Sequence, residues 1–397
     1  MNRKTSQPYE QVKQFSVKLC NEIVEVVSKP GLPDWDQLLP STELLSECLR
    51  LLPTDRVLLF GSHHGALSVF IARHLPFGKL SVTDNNFTAL EMIRRTLAVN
   101  SISSVNLITD INLPKVGCQS NDAVIIQIPK GRKLARRWLL QAHQALKLGG
   151  SLFIAGSNKA GIQSCIKDAL EIFGNGRILA YKKGYRISQQ VKESKDSPLP
   201  DWAYTPGIAQ GTWVEYSITL SDHIYQIRSL PGVFSFDHLD DGTKMLLTVT
   251  NIDPGSKLLD VGCGYGMIGL FAATHGAGWV DLVDNDLLAI ASCKETLILN
   301  GVSNTTIFTG DLLDPVSLNK YDLILSNPPF HAGHSVDFQI AEAMIRQSYQ
   351  ALNHDGQITI VANRFIPYDH LIKEIFGNVS CLIESGRFHL LSGIKSG

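Results

Sequence analysis

An internal register of about 200 residues runs through this chain from one end to the other. Gly61 answers to Gly262, Asp84 to Asp284, Asp110 to Asp311 and Pro129 to Pro329, at offsets of 201, 200, 201 and 200. Further on, the stretch 148–154 matches 354–360, and Ile172, Phe173 and Gly174 match Ile375, Phe376 and Gly377. Chance does not hold one register that long, so the chain reads as a duplication. Each copy alternates short β-branched runs with stretches of helical periodicity. Strands are expected at 56–60, 79–82, 105–108 and 123–126, with helices over 67–74 and 89–100, and the counterpart strands at 257–261, 279–283, 306–309 and 323–325. That alternation predicts an α/β fold of two tandem, doubly wound, mostly parallel sheets covered by helices.

The 397 residues, 44% of them hydrophobic, suffice for two separate cores. A stretch rich in Ser, Lys, Asp and Pro at 192–206 reads as a linker or exposed loop, which places the domains at 1–200 and 201–397. Segment 212–225 alternates like a strand leading into the second domain, with no partner that the sequence identifies. The seven cysteines show neither a CxxC pair nor metal-ligand spacing, which predicts buried, reduced thiols, no metal and a cytoplasmic location. Residues 1–10 are polar and no apolar run approaches the roughly 20 residues of a membrane helix, so neither export nor membrane association is expected.

Charge divides the halves. Residues 1–200 carry 26 Lys and Arg against 16 Asp and Glu, while 201–397 carry 10 against 21, a balance of +10 and −11. A basic module joined to an acidic one suggests that the first half approaches a polyanion such as nucleic acid, although two surfaces of opposite sign that dock on one another would give the same count.

In the second copy the first strand runs into Asp260, Gly262, Gly264, Gly266 and Gly269, followed by an apolar helical stretch over 267–275. Glycines at a strand-to-helix turn let a ligand come close to the backbone. Gly264, Gly266 and Gly269 also satisfy a dinucleotide fingerprint, with Asp284 at about the expected distance. Asp260 and the additional Gly262 fit better a cofactor with an amino-acid end, whose ammonium group calls for a carboxylate. Asp284 after the second strand suits two ribose hydroxyls, and Asp311 after the third suits an adenine amine. All of these fall at the carboxyl ends of strands, where doubly wound sheets collect ligands.

The fourth strand ends in Asn327, Pro328, Pro329, Phe330 and His331. Two prolines fix the backbone and remove two donors, leaving a rigid, acceptor-rich loop that suits a planar amine. Asn327 and the Pro328 carbonyl are the expected acceptors and Phe330 the expected stacking partner of a base, with His331 either a proton relay or an ordinary loop residue.

Together these motifs resemble class I S-adenosyl-L-methionine-dependent methyltransferases that act on exocyclic or amide nitrogens. Leu230-Pro-Gly-Val-Phe-Ser235, Asn327-Pro-Pro-Phe-His331, Ile360-Val-Ala-Asn363 and Gly386-Arg-Phe388 extend the likeness to bacterial ribosomal RNA guanine-N2 methyltransferases of the small-subunit type, over nearly the whole chain. That resemblance implies S-adenosyl-L-methionine as cofactor and ribosomal RNA or a ribosomal subunit as partner. It further implies a degenerate first copy, with Asn327, Pro328, Pro329 and Phe330 holding the target guanine. A monomer is expected.

At the matching turn the first copy reads Phe60, Gly61, Ser62, His63, His64 and Gly65, and its fourth strand ends Gln127, Ile128, Pro129. Neither the cofactor motif nor the amine clamp survives there, and adjacent histidines rarely bind one ion. Lys130, Arg132, Lys133, Arg136 and Arg137, with Trp138, instead suggest phosphate contacts and stacking at the former site mouth, against the plainer reading of a solvated basic helix face. Other targets stay open: adenine N6, a glutamine amide or a guanine of large-subunit RNA. So does a non-catalytic RNA-binding assembly factor.

Overall fold

A computed structural model describes residues 9–112, 119–194, 198–220, 222–328 and 335–396. The chain divides into two compact units, 12–213 and 214–397, and the second also takes in the described part of the N-terminal segment through Gln11. The division therefore falls after Trp213 and not within 192–206. Lys192 is buried, its ammonium donating to the His143 and Leu146 carbonyls, and Trp202 donates to Glu171, so much of the expected linker is packed into the first unit.

In the first unit, β1 (Lys13–Leu19) and β2 (Glu22–Ser28) form a hairpin ahead of α1 (Pro40–Cys48). Then follow β3 (Arg56–Phe60), α2 (Ala66–Arg73), β4 (Lys79–Thr83), α3 (Phe87–Val99), β5 (Asn106–Ile108), β6 (Asn121–Gln127), α4 (Arg132–Ala145), β7 (Leu146–Ser157), α5 (Ile162–Phe173), β8 (Arg177–Lys182) and β9 (Tyr185–Val191). The second unit repeats the series. A hairpin of β10 (Val214–Leu220) and β11 (His223–Ser229) precedes α6 (Asp241–Val249), β12 (Lys257–Val261), α7 (Met267–Thr274), β13 (Trp279–Asp284), α8 (Leu287–Leu299) and β14 (Thr305–Thr309). The unit closes with β15 (Tyr321–Ser326), α9 (Ser335–Ala351), β16 (Leu352–Asn363), α10 (Tyr368–Phe376), β17 (Ser380–Glu384) and β18 (Phe388–Ile394).

Each unit holds one seven-stranded sheet, ordered β5-β4-β3-β6-β7-β9-β8 in the first and β14-β13-β12-β15-β16-β18-β17 in the second. Five strands of each run parallel and the last two pair antiparallel. Val124, Ile125 and Ile126 of β6 are all fully buried. A continuous apolar run of that kind marks a central parallel strand covered on both faces. Helix starts and stops follow local chemistry. The Asp240 and Asp286 side chains cap α6 and α8, and Gly377 at φ +77 ends α10.

The duplication reaches single hydrogen bonds. Asp122 accepts the Arg56 N–H as Asp322 accepts that of Lys257. Asn100 and Asn300 each bridge a helix end to the hairpin strand, at Glu25 and Gln226. Asn175 and Asn378 tie the last strands at Val191 and Ile394 in the same way. Such bonds satisfy backbone groups that the sheet ladder leaves open, so the same positions carry the same residue in both copies.

Two further expectations need correction. Segment 212–225 is not one strand but part of the β10–β11 hairpin, whose strands partner each other. The thiols are free but not all buried: Cys20 and Cys381 are exposed and Cys48 half-buried, while Cys118 lies outside the described residues. Among the described residues no helix is long and apolar enough to cross a membrane.

Candidate active site

In the second unit the strand order reverses between β12 and β15, and the crevice at the carboxyl ends of those two strands is the place where doubly wound sheets take ligands. The turn after β12 carries Gly262, Gly264 and Gly266 at φ +74, +56 and +89. Their roles differ. A methyl group added to Gly266 would meet the Cys293 Sγ at 2.8 Å, and one on Gly269 would run into Leu282, so these two glycines allow α7 to pack on its neighbours. Around Gly262 and Gly264 such a methyl group would find nothing within 4 Å. These two line open space, a cradle where a ligand can lie against the backbone.

Asp260, on β12, is fully buried, with Oδ2 accepting the Gly269 N–H at 3.0 Å. Its Oδ1 is buried and has no partner among the described residues. A carboxylate oxygen left this way is costly unless a cation or donor reaches it. Burial, opposed only partly by the Gly269 N–H, pushes the Asp260 carboxyl up to about 8. Asp284 ends β13. Its Oδ2 accepts the Gly264 N–H at 2.8 Å and its Oδ1 the Asp286 N–H at 2.8 Å, so the carboxylate holds the glycine turn and still keeps lone pairs for a diol. Burial raises this carboxyl too. The Gly310 N–H donates to the Asp284 carbonyl, which brings Asp311 beside it. Asp311 in turn accepts the Tyr9 hydroxyl at 2.6 Å. Tyr9 is 5% exposed, and burial together with Asp311 keeps its phenol protonated.

Asn327 follows β15. Its Nδ2 donates to Asp240 Oδ2 at 2.9 Å and to Thr243 Oγ1 at 2.8 Å, which uses both amide hydrogens. Asp240 Oδ2 also accepts the Thr243 N–H at 3.0 Å, so one carboxylate caps α6 and fixes the Asn327 amide. The side-chain oxygen of Asn327 is left without a donor among the described residues. Gly242 makes this junction possible, since a methyl group there would press on Val361 at 2.8 Å and on Asp240 at 3.0 Å. Pro328 is buried next to Asn327. Pro329, Phe330 and His331 lie outside the described residues. The structure thus brings Asp260, Gly262, Gly264, Gly266, Asp284, Asp311, Asn327 and Pro328 onto one edge of one sheet.

Sequence reasoning missed Asp240, Thr243 and Tyr9. Asp240 ahead of the apolar 245–247 is readable as a helix cap, but nothing local signals its bond to a residue 87 positions away.

The same edge of the first unit is filled. A methyl group on Gly61 would meet the Gln127 carbonyl at 2.9 Å and the Trp138 ring at 3.4 Å. Trp138 is 5% exposed and packs against Phe60 with ring centroids 5.3 Å apart. It is core, not a stacking platform, which corrects the expectation for that residue. His64 is buried with Nε2 against the Gln37 carbonyl, and burial pushes both His63 and His64 down to about 4, so both are neutral fillers. Among the described residues no cluster of His, Cys, Asp and Glu could hold a metal ion.

The basic run is split. Arg137 is 2% exposed and donates to the Gly207 carbonyl and to Asn112 Oδ1. Burial lowers its guanidinium to about 10, and its place inside the unit corrects the expectation of a phosphate contact. Arg132 and Arg136 both make paired bonds to the fully buried Asp168, at 2.7–3.1 Å, and Arg136 also lies over the Trp202 ring at 4.5 Å. Lys130 and Lys133 are exposed at the start of α4.

A glycine cradle, a buried acid with an orphan oxygen, an acid at each of the next two strand ends and an oriented amide after the fourth strand define a class I methyltransferase site. Known proteins agree with that class. The sequence profile of the methyltransferase small domain family matches residues 23–189 and again 224–392. The ribosomal RNA small subunit methyltransferase C of Pseudomonas entomophila is 34% identical over 270 residues, covering 68% of this chain and 78% of that protein. That of Psychromonas ingrahamii is 34% identical over 275 residues, covering 69% and 76%. In fold, the T. thermophilus 16S rRNA N2 G1207 methyltransferase, solved in complex with AdoMet and guanosine, matches with a TM-score of 0.79 at 23% identity over 96% of this chain and 98% of that one. The chain belongs to the ribosomal RNA small subunit methyltransferase C family, within the methyltransferase small domain proteins.

Proposed function

We propose that this protein methylates the exocyclic N2 of a guanine in small-subunit 16S ribosomal RNA, with S-adenosyl-L-methionine as donor. The observation that carries this reading is the Asn327 amide, whose two hydrogens are held by Asp240 and Thr243 so that its oxygen is presented as an acceptor beside the glycine cradle. Bound on that cradle, the cofactor supplies an electrophilic sulfonium methyl group. The orphan Oδ1 of Asp260 answers its ammonium group, Asp284 its ribose diol and Asp311 its adenine amine.

On the substrate side, Asn327 Oδ1 and the Pro328 carbonyl accept the two hydrogens of the guanine amine. Two acceptors in fixed positions pull the nitrogen lone pair out of ring conjugation and aim it along the line of transfer. Phe330 stacks on the base, a contact worth about 1–3 kcal/mol. The amine becomes acidic only as it gains the methyl group, so its proton leaves without a strong base, and catalysis is mainly positioning. In the first unit Lys130, Arg132 and Lys133 are assigned to phosphate contacts, with Arg136 beside them, and the unit carries the basic surface that brings RNA to the enzyme.

The relatives that share this family are named for small-subunit ribosomal RNA, which favours 16S RNA over the large-subunit, DNA and protein targets. The experiment is transfer of labelled methyl to free 16S RNA and to 30S and 50S particles from a strain lacking the enzyme, followed by nucleoside analysis. N2-methylguanosine in small-subunit RNA is the expected product. Label confined to 50S particles, DNA or protein would overturn the target.

A further inference from the structure

We propose that the groove between α6 and the β17–β18 hairpin binds the nucleotide next to the target guanine, base against its floor and phosphate against its cations. The inference rests on the RNA reading above and assigns it a second subsite. The cavity measures about 540 Å³, within the range of about 300–1,000 Å³ typical of small-molecule sites. One wall is the outer face of α6, with Asp241, Lys244 and Met245; the other is the hairpin, with Ile383, Arg387 and Phe388.

Three observations point to a nucleotide. First, this half of the chain carries 10 cations against 21 acids, and most of its cations have partners. Arg228 pairs with Glu215 and Glu295, Arg346 with Glu342 and Glu374, Arg364 with Glu384, and Lys257 with Asp281, while Lys320 and Lys395 donate to the Gln350 and Leu352 carbonyls. Four cations, Lys244, Lys294, Lys373 and Arg387, make no ion pair or side-chain hydrogen bond among the described residues, and two of these, Lys244 and Arg387, face this one groove. Two unpaired cations in an acidic half are placed for an anion that is not part of the chain. Second, the Arg387 guanidinium lies over the Phe388 ring at 5.4 Å, and Met245 and Ile383 complete an apolar floor. A planar base can stack there while its phosphate meets the guanidinium and the Lys244 ammonium. Third, the groove adjoins the amine clamp. Asp241 lines it, while its neighbour Asp240 holds Asn327. A base splayed out beside the target guanine therefore falls within one nucleotide step of it, and the Asp241 carboxylate is positioned to accept from its polar edge.

The test is the full-length double variant Lys244→Gln, Arg387→Gln, assayed on 30S particles and free 16S RNA across a salt series, with cofactor affinity measured alongside. The expected result is a KM for RNA raised about tenfold and a salt slope reduced by about two, one for each cation that no longer neutralises a phosphate, with kcat and cofactor affinity within about twofold of wild type. Retained cofactor affinity reports that the fold is intact, and Phe388→Leu, which keeps both cations, should raise KM while leaving the salt slope unchanged. An unchanged KM and salt slope in the double variant overturns the subsite while wild-type methylation of 16S RNA still stands. Absence of wild-type methylation on any RNA removes the RNA reading itself, and the subsite with it.

Discussion

Asp240 Oδ2 accepts one hydrogen of the Asn327 amide at 2.9 Å, across 87 residues of chain, and so decides which end of that amide faces the crevice. The same oxygen caps α6 through the Thr243 N–H. Asp240→Ala frees the amide to rotate, and a misplaced acceptor at the reacting centre costs about 10²-fold in rate. kcat is expected to fall by that order while the dissociation constant for S-adenosyl-L-methionine stays within about threefold. Asp240→Asn, which can still cap the helix, should recover part of the loss. Loss of cofactor binding to the same degree as kcat would place Asp240 in the cofactor site instead.

Tyr9 gives a second test, because its hydroxyl bonds Asp311 from a segment 302 residues away in sequence. Tyr9→Phe removes one hydrogen bond to a charged group, worth about 1.5–3 kcal/mol when buried. Calorimetric titration should show cofactor binding weakened about tenfold, with kcat at saturating cofactor unchanged. Tighter binding would mean that the phenol competes with the adenine amine for Asp311.

Asp260 predicts a pH dependence. Its carboxyl is raised to about 8, so without cofactor the neutral form dominates below that pH, and ionisation without a partner costs stability as pH rises from about 4 towards 8. A cofactor ammonium needs the carboxylate, so binding between about pH 5.5 and 7.5 should release close to one proton and strengthen up to tenfold per pH unit. Asp260→Asn should flatten that slope. A wild-type affinity independent of pH over this range would contradict the ammonium contact.

In the first unit Asp168 is fully buried between Arg132 and Arg136. These guanidinium groups hold its carboxyl below the usual carboxylate range. Its contribution is therefore present above about pH 4 and lost as pH falls below it. Asp168→Ala should cost about 2 kcal/mol, at the lower side of broken buried pairs because Arg132 is half exposed. Trp138→Ala should cost about 3–5 kcal/mol by opening a cavity. Denaturant titration checks both, and neither variant should alter the number of cofactor molecules bound per chain, which is expected to be one.

Four of the five parallel strands of each sheet were legible in sequence as short apolar runs, the central β3 and β12 to the residue, while β7 and β16 were seen only as matching stretches of the two copies. The antiparallel pieces were not legible. The β1–β2 and β10–β11 hairpins and the β8–β9 and β17–β18 pairs have one wet face and weaker apolar patterning, and β17 is exposed along its whole length. The placement of the glycine turn and the strand-end acids on one sheet edge was equally legible, since both are local signals. What stayed hidden was long-range pairing. Arg137 and Trp138 look like surface groups in a basic run, yet the fold turns both inward, and α4 shows Lys133 outside while Arg137, one turn later, sits inside against Gly207.

The measurement closest to the central claim is nucleoside analysis of 16S RNA from 30S particles treated with labelled S-adenosyl-L-methionine and either wild-type enzyme or Asn327→Ala, with cofactor affinity recorded for both. The account predicts N2-methylguanosine with wild type, a loss of at least about 10²-fold with the variant, and cofactor affinities within a few-fold of each other. Label in another nucleoside, or undiminished transfer by Asn327→Ala, would contradict it.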